Sequence, residues 1–191
     1  MIIGIFGKSG SGKTTACEFF KKNGFSAIDA DKIGHITLEK GSVGLTAVIS
    51  ELGEEYLLPD GNLDRKKLGK LVFSDVKMLD KLNKITIPLI IEKINTLITQ
   101  NKDKNIIIDG ALLSSTEIIN ICDLTILIKS RYSAARIIKR DNLTPIEAEN
   151  RLNSQMINEK ADIIIENDYN NIENFHEELR EILCKKNICL K

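Results

Sequence analysis

Short runs that are apolar on both faces alternate with longer segments that are apolar on one side only. The first kind of pattern fits strands buried inside a parallel sheet, and the second fits helices lying on its faces. Strands are expected at residues 1–6, 25–28, 105–108, 122–128 and 161–165. Helices are expected at residues 14–23, 64–73 and 131–140, and from Pro145 to about residue 158. A last helix shows Ile172, Phe175, Leu179, Ile182 and Leu183 at amphipathic spacing. Residues 32–100 have little strand character and are broken by Gly41, Gly44 and a turn at Pro59-Asp60-Gly61. Asp64 is a candidate cap, and two helical stretches follow residue 73, with Pro88 near the start of the second. The alternation predicts an α/β fold with a five-stranded parallel sheet and helices on both faces. About 70 residues without a clear strand do not fit a simple crossover, so 32–100 read as a helical subdomain inserted beside the sheet.

One stretch breaks the apolar rhythm with chemistry. Gly7-Lys8-Ser9-Gly10-Ser11-Gly12-Lys13-Thr14 lies between the first strand and the first helix. Gly, four residues and then Gly-Lys-Thr is the pattern of a phosphate-binding P-loop. Its glycines permit a close backbone wrap, and its N–H groups turn inward at the positive end of the following helix. Lys13 can reach the β- and γ-phosphates, and the Thr14 hydroxyl can hold Mg²⁺.

Charge and cysteine usage narrow the field. Lys plus Arg and Asp plus Glu are 27 each, so net charge supports neither a nucleic-acid nor a membrane-surface role. The four cysteines, Cys17, Cys122, Cys184 and Cys189, form no Cys-x-x-Cys pair, and with two histidines a zinc site is not expected. No run approaches a membrane span, and the first residues do not read as a secretory signal. A cytoplasmic protein, monomeric or weakly self-associating, is expected.

Other candidates lie where strands end, the edge at which ligands bind in such sheets. Asp31, just past the second strand, is the candidate general base; Asp29 competes, and helix capping is the plain alternative. Arg136 and Arg140 are four apart on one expected helix, and Arg151 and Gln155 repeat that spacing on the next. They suit a lid closing over phosphates, or salt bridges to Asp141, Glu147 or Glu149. Asp109 ends the third strand, where it can hold Mg²⁺ or cap a helix. His35 lies one helical turn after Asp31.

Several strings now coincide: the P-loop, Ile28-Asp29-Ala30-Asp31 with His35, Gly61-Asn62-Leu63-Asp64-Arg65, Arg140-Asp141, Arg151 with Gln155, and Ala161-Asp162 through Glu166-Asn167. In this order they resemble the dephospho-CoA kinase family over nearly the whole chain. The resemblance implies a three-layer P-loop kinase fold with its core at about 1–31, 104–135 and 160–191. A CoA-binding helical subdomain would span about 32–103, and a lid about 136–159. It implies ATP-dependent phosphorylation of the ribose 3′-hydroxyl of dephospho-CoA, with ATP and Mg²⁺. Catalysis would fall to Asp31, Lys13 and Arg140. ATP would be held by Gly7, Gly10, Ser11, Gly12, Lys13, Thr14, Thr15, Arg140 and Asn167, the last near the adenine. His35, Arg65 and Arg136 would join Asp31 at the substrate, with Thr14 and Asp109 toward the metal. Another nucleoside or nucleotide kinase, or a non-catalytic ATP-binding module, is the rival reading. The family's usual Pro-Leu-Leu-x-Glu after the third strand is Ala111-Leu112-Leu113-Ser114-Ser115 here, a His before Pro88 is Ile87, and a Gly is Tyr169.

Overall fold

The computed structural model of the chain describes all residues except Leu112, Ser114, Ser115, Met156, Asn170 and 187–191; the Phe73 side chain is also outside the description. Two compact units result: Met1–Asp29 with Asn101–Lys191, and Ala30–Gln100.

The first unit is built on five parallel strands: β1 (Ile2–Phe6), β2 (Ser26–Asp29), β3 (Ile106–Asp109), β4 (Leu124–Lys129) and β5 (Ile163–Glu166), in the order β2-β3-β1-β4-β5. The central strand β1 pairs with β3 on one side and β4 on the other. The chain reverses its direction of travel across the sheet there, so the end of β1 is the fold's switch point. Helices α1 (Lys13–Lys22) and α8 (Ile172–Lys185) cover one face. Their Phe19, Phe20, Phe175, Leu179 and Leu183 bury against Ile3, Ile5, Ile107, Ile126 and Ile165. Each such side chain contributes roughly 1.5–3 kcal/mol on burial, so this layer sets the sheet's position. On the other face Gly4 leaves room for Leu113 and Cys122, which a Cβ there would strike at 2.7 Å. The unit also carries α6 (Ser133–Asp141) and α7 (Pro145–Asn153).

The expected strands and helices are present with shifted ends, except that the two stretches expected after residue 73 are one helix, Val76–Gln100. The helix opening at Pro145 stops at Asn153 instead of running to about 158, with Ser154 as its cap. Gln155 therefore cannot share a helical face with Arg151.

The second unit is built of helices α2 (Ala30–Thr37), α3 (Val43–Leu52), α4 (Arg65–Ser74) and α5 (Val76–Gln100), with a 3₁₀ turn at Glu54–Tyr56 and one antiparallel bridge between Leu57 and Leu63. Leu38, Leu45, Val48, Leu63, Leu68 and Val72 form its core. Asp64 caps α4 by accepting from the Lys67 N–H at 2.9 Å. Pro88 does not begin a helix; it lies inside the 25-residue α5. An interior proline removes one helical hydrogen bond and crowds the preceding turn, at about 3 kcal/mol. Burial of Thr86, Ile87, Ile90 and Ile94 on one face offsets that cost and keeps the helix continuous.

Candidate active site

The phosphate loop leaves β1 at the switch point and returns as α1. Gly10 and Gly12 hold φ of 78° and 110°, which side-chain-bearing residues rarely adopt. Gly12 is the N-cap of α1, with no side-chain cap and no acidic residue in the first turn. The Gly12 cap supplies no side-chain hydrogen bond and the first turn carries no acidic side chain of its own, as suits an anion seat. The Lys13 ammonium donates to the Gly7 and Lys8 carbonyls at 2.7 and 3.1 Å, folded over the loop it belongs to. Thr14 follows, exposed, and Thr15 is half-buried.

The loop is braced from outside by residues far along the chain. Ser9 and Gln155 exchange a reciprocal pair: the Ser9 N–H donates to Oε1 at 2.7 Å and Nε2 donates to Ser9 Oγ at 2.8 Å. Asn167 is only 5 % exposed and donates through Nδ2 to the Ser11 carbonyl at 2.7 Å. Arg136 spreads its guanidinium over four carbonyls: Gly10 at 3.3 Å, Ser11 at 3.4 Å, Asn167 at 3.0 Å and Tyr169 at 3.4 Å. Among the described residues Arg136 makes none of the expected salt bridges to Asp141, Glu147 or Glu149.

Arg140 takes a different course from its helical neighbour. Its Nε and NH2 grip Asp141 at 2.7 and 2.8 Å, and Arg151 reaches the same carboxylate at 2.7 Å. The two arginines hold the Asp141 carboxyl down at about 2, the Arg140 hydrogen bond being the largest cause. The helix ends there because Asn142 adopts the left-handed conformation at φ 53°. Glu147 is engaged instead in a capping box with Thr144. Salt bridging to Asp141 is thus realised for Arg140, and it brings Arg151 to the same point.

Asp109 closes β3 in register with Asp29 of β2 and Ile5 of β1. The thiol of Cys17, on α1, faces the Asp109 carboxylate; burial first, then this carboxylate, pushes the thiol well above the ordinary range. In the second unit Asp31 lies within the first turn of α2 and is half-buried. His35 is exposed on the same helix, and its carbonyl accepts from Arg65 NH2 at 2.9 Å. The Arg65 segment is thereby docked onto the end of α2, where a cation is favoured. In the altered stretch at 111–115, Leu113 is fully buried; Leu112, Ser114 and Ser115 lie outside the described residues.

The braces are what sequence reasoning missed. The four-residue spacing puts Gln155 on a helix face with Arg151, which the end of α7 at Asn153 overturns, and nothing in the spacing points Asn167 or Arg136 to the loop carbonyls. The available signal was the loop itself: its inward N–H groups leave outward carbonyls that buried surroundings must satisfy.

A phosphate loop at the switch point of an all-parallel sheet, followed by an arginine-bearing helical arm, defines the class as a P-loop kinase. Residues 1–173 match the sequence profile of the dephospho-CoA kinase family. A relative named dephospho-CoA kinase in Fusobacterium nucleatum is 40% identical over 176 residues, covering 89% of this chain and 91% of its own. The crystal structure of TT1252 from Thermus thermophilus superposes with a TM-score of 0.80 at 25% identity, over 97% of each chain. The structure of dephospho-CoA kinase from Campylobacter jejuni gives 0.63 at 28% identity, over 96% of each. The chain belongs to the dephospho-CoA kinase family.

Proposed function

We propose that the chain transfers the γ-phosphoryl group of ATP to the ribose 3′-hydroxyl of dephospho-CoA, giving CoA and ADP. The observation that carries this reading is the family match over residues 1–173, which takes in the phosphate loop, Asp31 and the arginine arm together. In this reading the loop amides and Lys13 hold the triphosphate, and Arg140 leaves Asp141 to meet charge developing on the transferred group. Asp31 orients the hydroxyl and takes its proton. His35 and Arg65 contribute to the acceptor side.

Mg²⁺ fits the donors at hand. Thr14 and Asp109 offer hard oxygens, and no group of three or more His, Cys, Asp or Glu forms a metal cage among the described residues. Mg²⁺ usually takes only one or two protein oxygens and completes its shell with phosphate and water. When bound it would neutralise charge on the β- and γ-phosphates. No helix is long and apolar enough to cross a membrane among the described residues. Both substrates are small soluble molecules, and we infer a cytoplasmic setting.

The test is acceptor-dependent ADP release with Mg-ATP, screened over dephospho-CoA, nucleosides and nucleotides. Dephospho-CoA alone should give saturable release. Asp31→Asn should lower kcat by about 10²–10⁴ while ATP binding persists. Release that no acceptor stimulates would leave an ATP-binding module instead, and full activity in Asp31→Asn would remove the base.

A further inference from the structure

We propose that Asn167 and Arg136 are positioning residues for phosphate binding, acting through the carbonyls on the outside of the loop, not by touching nucleotide base or acceptor. The inference rests on the ATP reading above and assigns these two residues a task within it.

A trans peptide places its C=O and the next N–H in opposite directions within one plane. Fixing a carbonyl therefore aims the amide that follows. The Ser11 carbonyl receives Asn167 Nδ2 at 2.7 Å and Arg136 NH1 at 3.4 Å. The Gly12 N–H, on the same peptide, is turned away from both donors. The preceding peptide is held at each end: Arg136 meets the Gly10 carbonyl at 3.3 Å, and the Ser11 N–H donates to the Lys8 carbonyl at 3.2 Å. Two consecutive peptide planes are thus set before any ligand arrives.

The setting is buried. Ser11 is 1 % and Asn167 is 5 % exposed, so these hydrogen bonds face little competition from water. Asn167 is itself fixed, because its N–H donates to the Lys129 carbonyl at the end of β4 at 2.8 Å. Arg136 ties the Asn167 and Tyr169 carbonyls to the same point. The loop's geometry is in this way referred to the ends of β4 and β5. Gly12 must lack a Cβ for the same reason, since the Asn167 amide occupies that space. A phosphate site whose amides are already aimed spends no binding energy on ordering them.

The experiment compares ATP, inorganic tripolyphosphate and adenosine by calorimetry, on wild type, Asn167→Leu and Arg136→Lys. Neither substitution changes the charge beside the loop, so any loss reflects geometry. Tripolyphosphate has no base, and adenosine has no phosphate. Tripolyphosphate and ATP affinities should fall by the same factor, about five- to tenfold for each lost buried hydrogen bond, with adenosine unchanged. KM for ATP should rise while KM for dephospho-CoA stays. Loss of adenosine binding with tripolyphosphate unchanged would assign base contact and overturn the inference. Unaltered binding with only a lowered melting midpoint would reduce both residues to structural support and overturn it too. Should Asn167→Leu not fold, Arg136→Lys carries the same comparison. A wild-type protein binding neither ATP nor tripolyphosphate would overturn the ATP reading itself, whereas a binding wild type with equal variants would sink only this proposal.

Discussion

The phosphate seat and the arginine arm lie in the same unit and are held by opposite means. The seat is fixed by hydrogen bonds from buried or half-buried side chains: neutral ones from Asn167 to Ser11 and between Gln155 and Ser9, and those of the Arg136 guanidinium to the Gly10 and Ser11 carbonyls. The arm is fixed by ion pairs in water: Asp141 with Arg140 and Arg151, whose side chains are 56 % and 43 % exposed. Buried neutral bonds are specific in direction and cannot be replaced by solvent. Exposed ion pairs contribute little stability and exchange readily with another anion. The difference separates what must be in place before a triphosphate binds from what can move when it does.

The largest expected effect on nucleotide affinity comes from breaking the seat. Gly12→Ala forces a side chain into φ 110° and against the Asn167 amide. The loop must then give up either its backbone angle or its brace, each of order 1–3 kcal/mol. ATP affinity should fall by about 100-fold, read by calorimetry, with the melting midpoint lowered by only a few degrees. If ATP binding in this variant stays within about threefold of wild type, the seat is adaptable and the contrast with the arm disappears.

The arm should fail differently. On the proposed function, Arg140→Ala removes a charge that acts while the phosphoryl group is in transit, so kcat should fall by about 10²–10³. ADP affinity should change by less than about threefold, because the seat is intact. The sign of the pH dependence follows from Asp141. Its folded-state carboxyl is lowered to about 2, so its pairing is complete above the ordinary carboxylate range and fades only as pH falls through that value. Between pH 5 and 9 Asp141 therefore contributes no titration, and Asp141→Asn should leave the shape of the pH–rate profile unchanged. A new acidic limb in that variant would show that the cluster acts in more than holding two arginines.

The same contrast explains what could be read from sequence. The loop was legible because each of its residues serves the chemistry within eight consecutive positions, and β1 and α1 flank it by local pattern. The strands were legible because burial on both faces writes itself as continuous Ile and Leu. Asn167 and Arg136 were legible only as polar residues at plausible places: their partners are backbone carbonyls 156 and 126 positions away, and a carbonyl carries no sequence signature. The end of α7 was misplaced because the favourable pattern through residue 158 says nothing of Gln155 being needed at Ser9. Pro88 was misread for the reverse reason, a strong local signal outweighed by the burial of one face of α5.

The smallest effect tests how closed the seat remains. Cys17 lies on α1 behind the loop, 4 % exposed and beside Asp109, and its thiol is pushed far above the usual range, chiefly by burial. Cys122 is pushed up to about 12, again chiefly by burial. Cys184 is exposed. Alkylation requires thiolate, and a raised pKa means that the reactive form is scarce until pH climbs toward the folded value. At pH 8, iodoacetamide followed by peptide mass mapping should label Cys184 within minutes and Cys122 and Cys17 only on the timescale of opening. Bound ATP should slow Cys17 further and leave Cys184 as it was. Rapid labelling of Cys17 in the absence of nucleotide would mean that α1 parts from β3 in the resting protein. The buried bonds around the loop would then be as exchangeable as the ion pairs on the arm, and preorganisation would no longer separate the two regions.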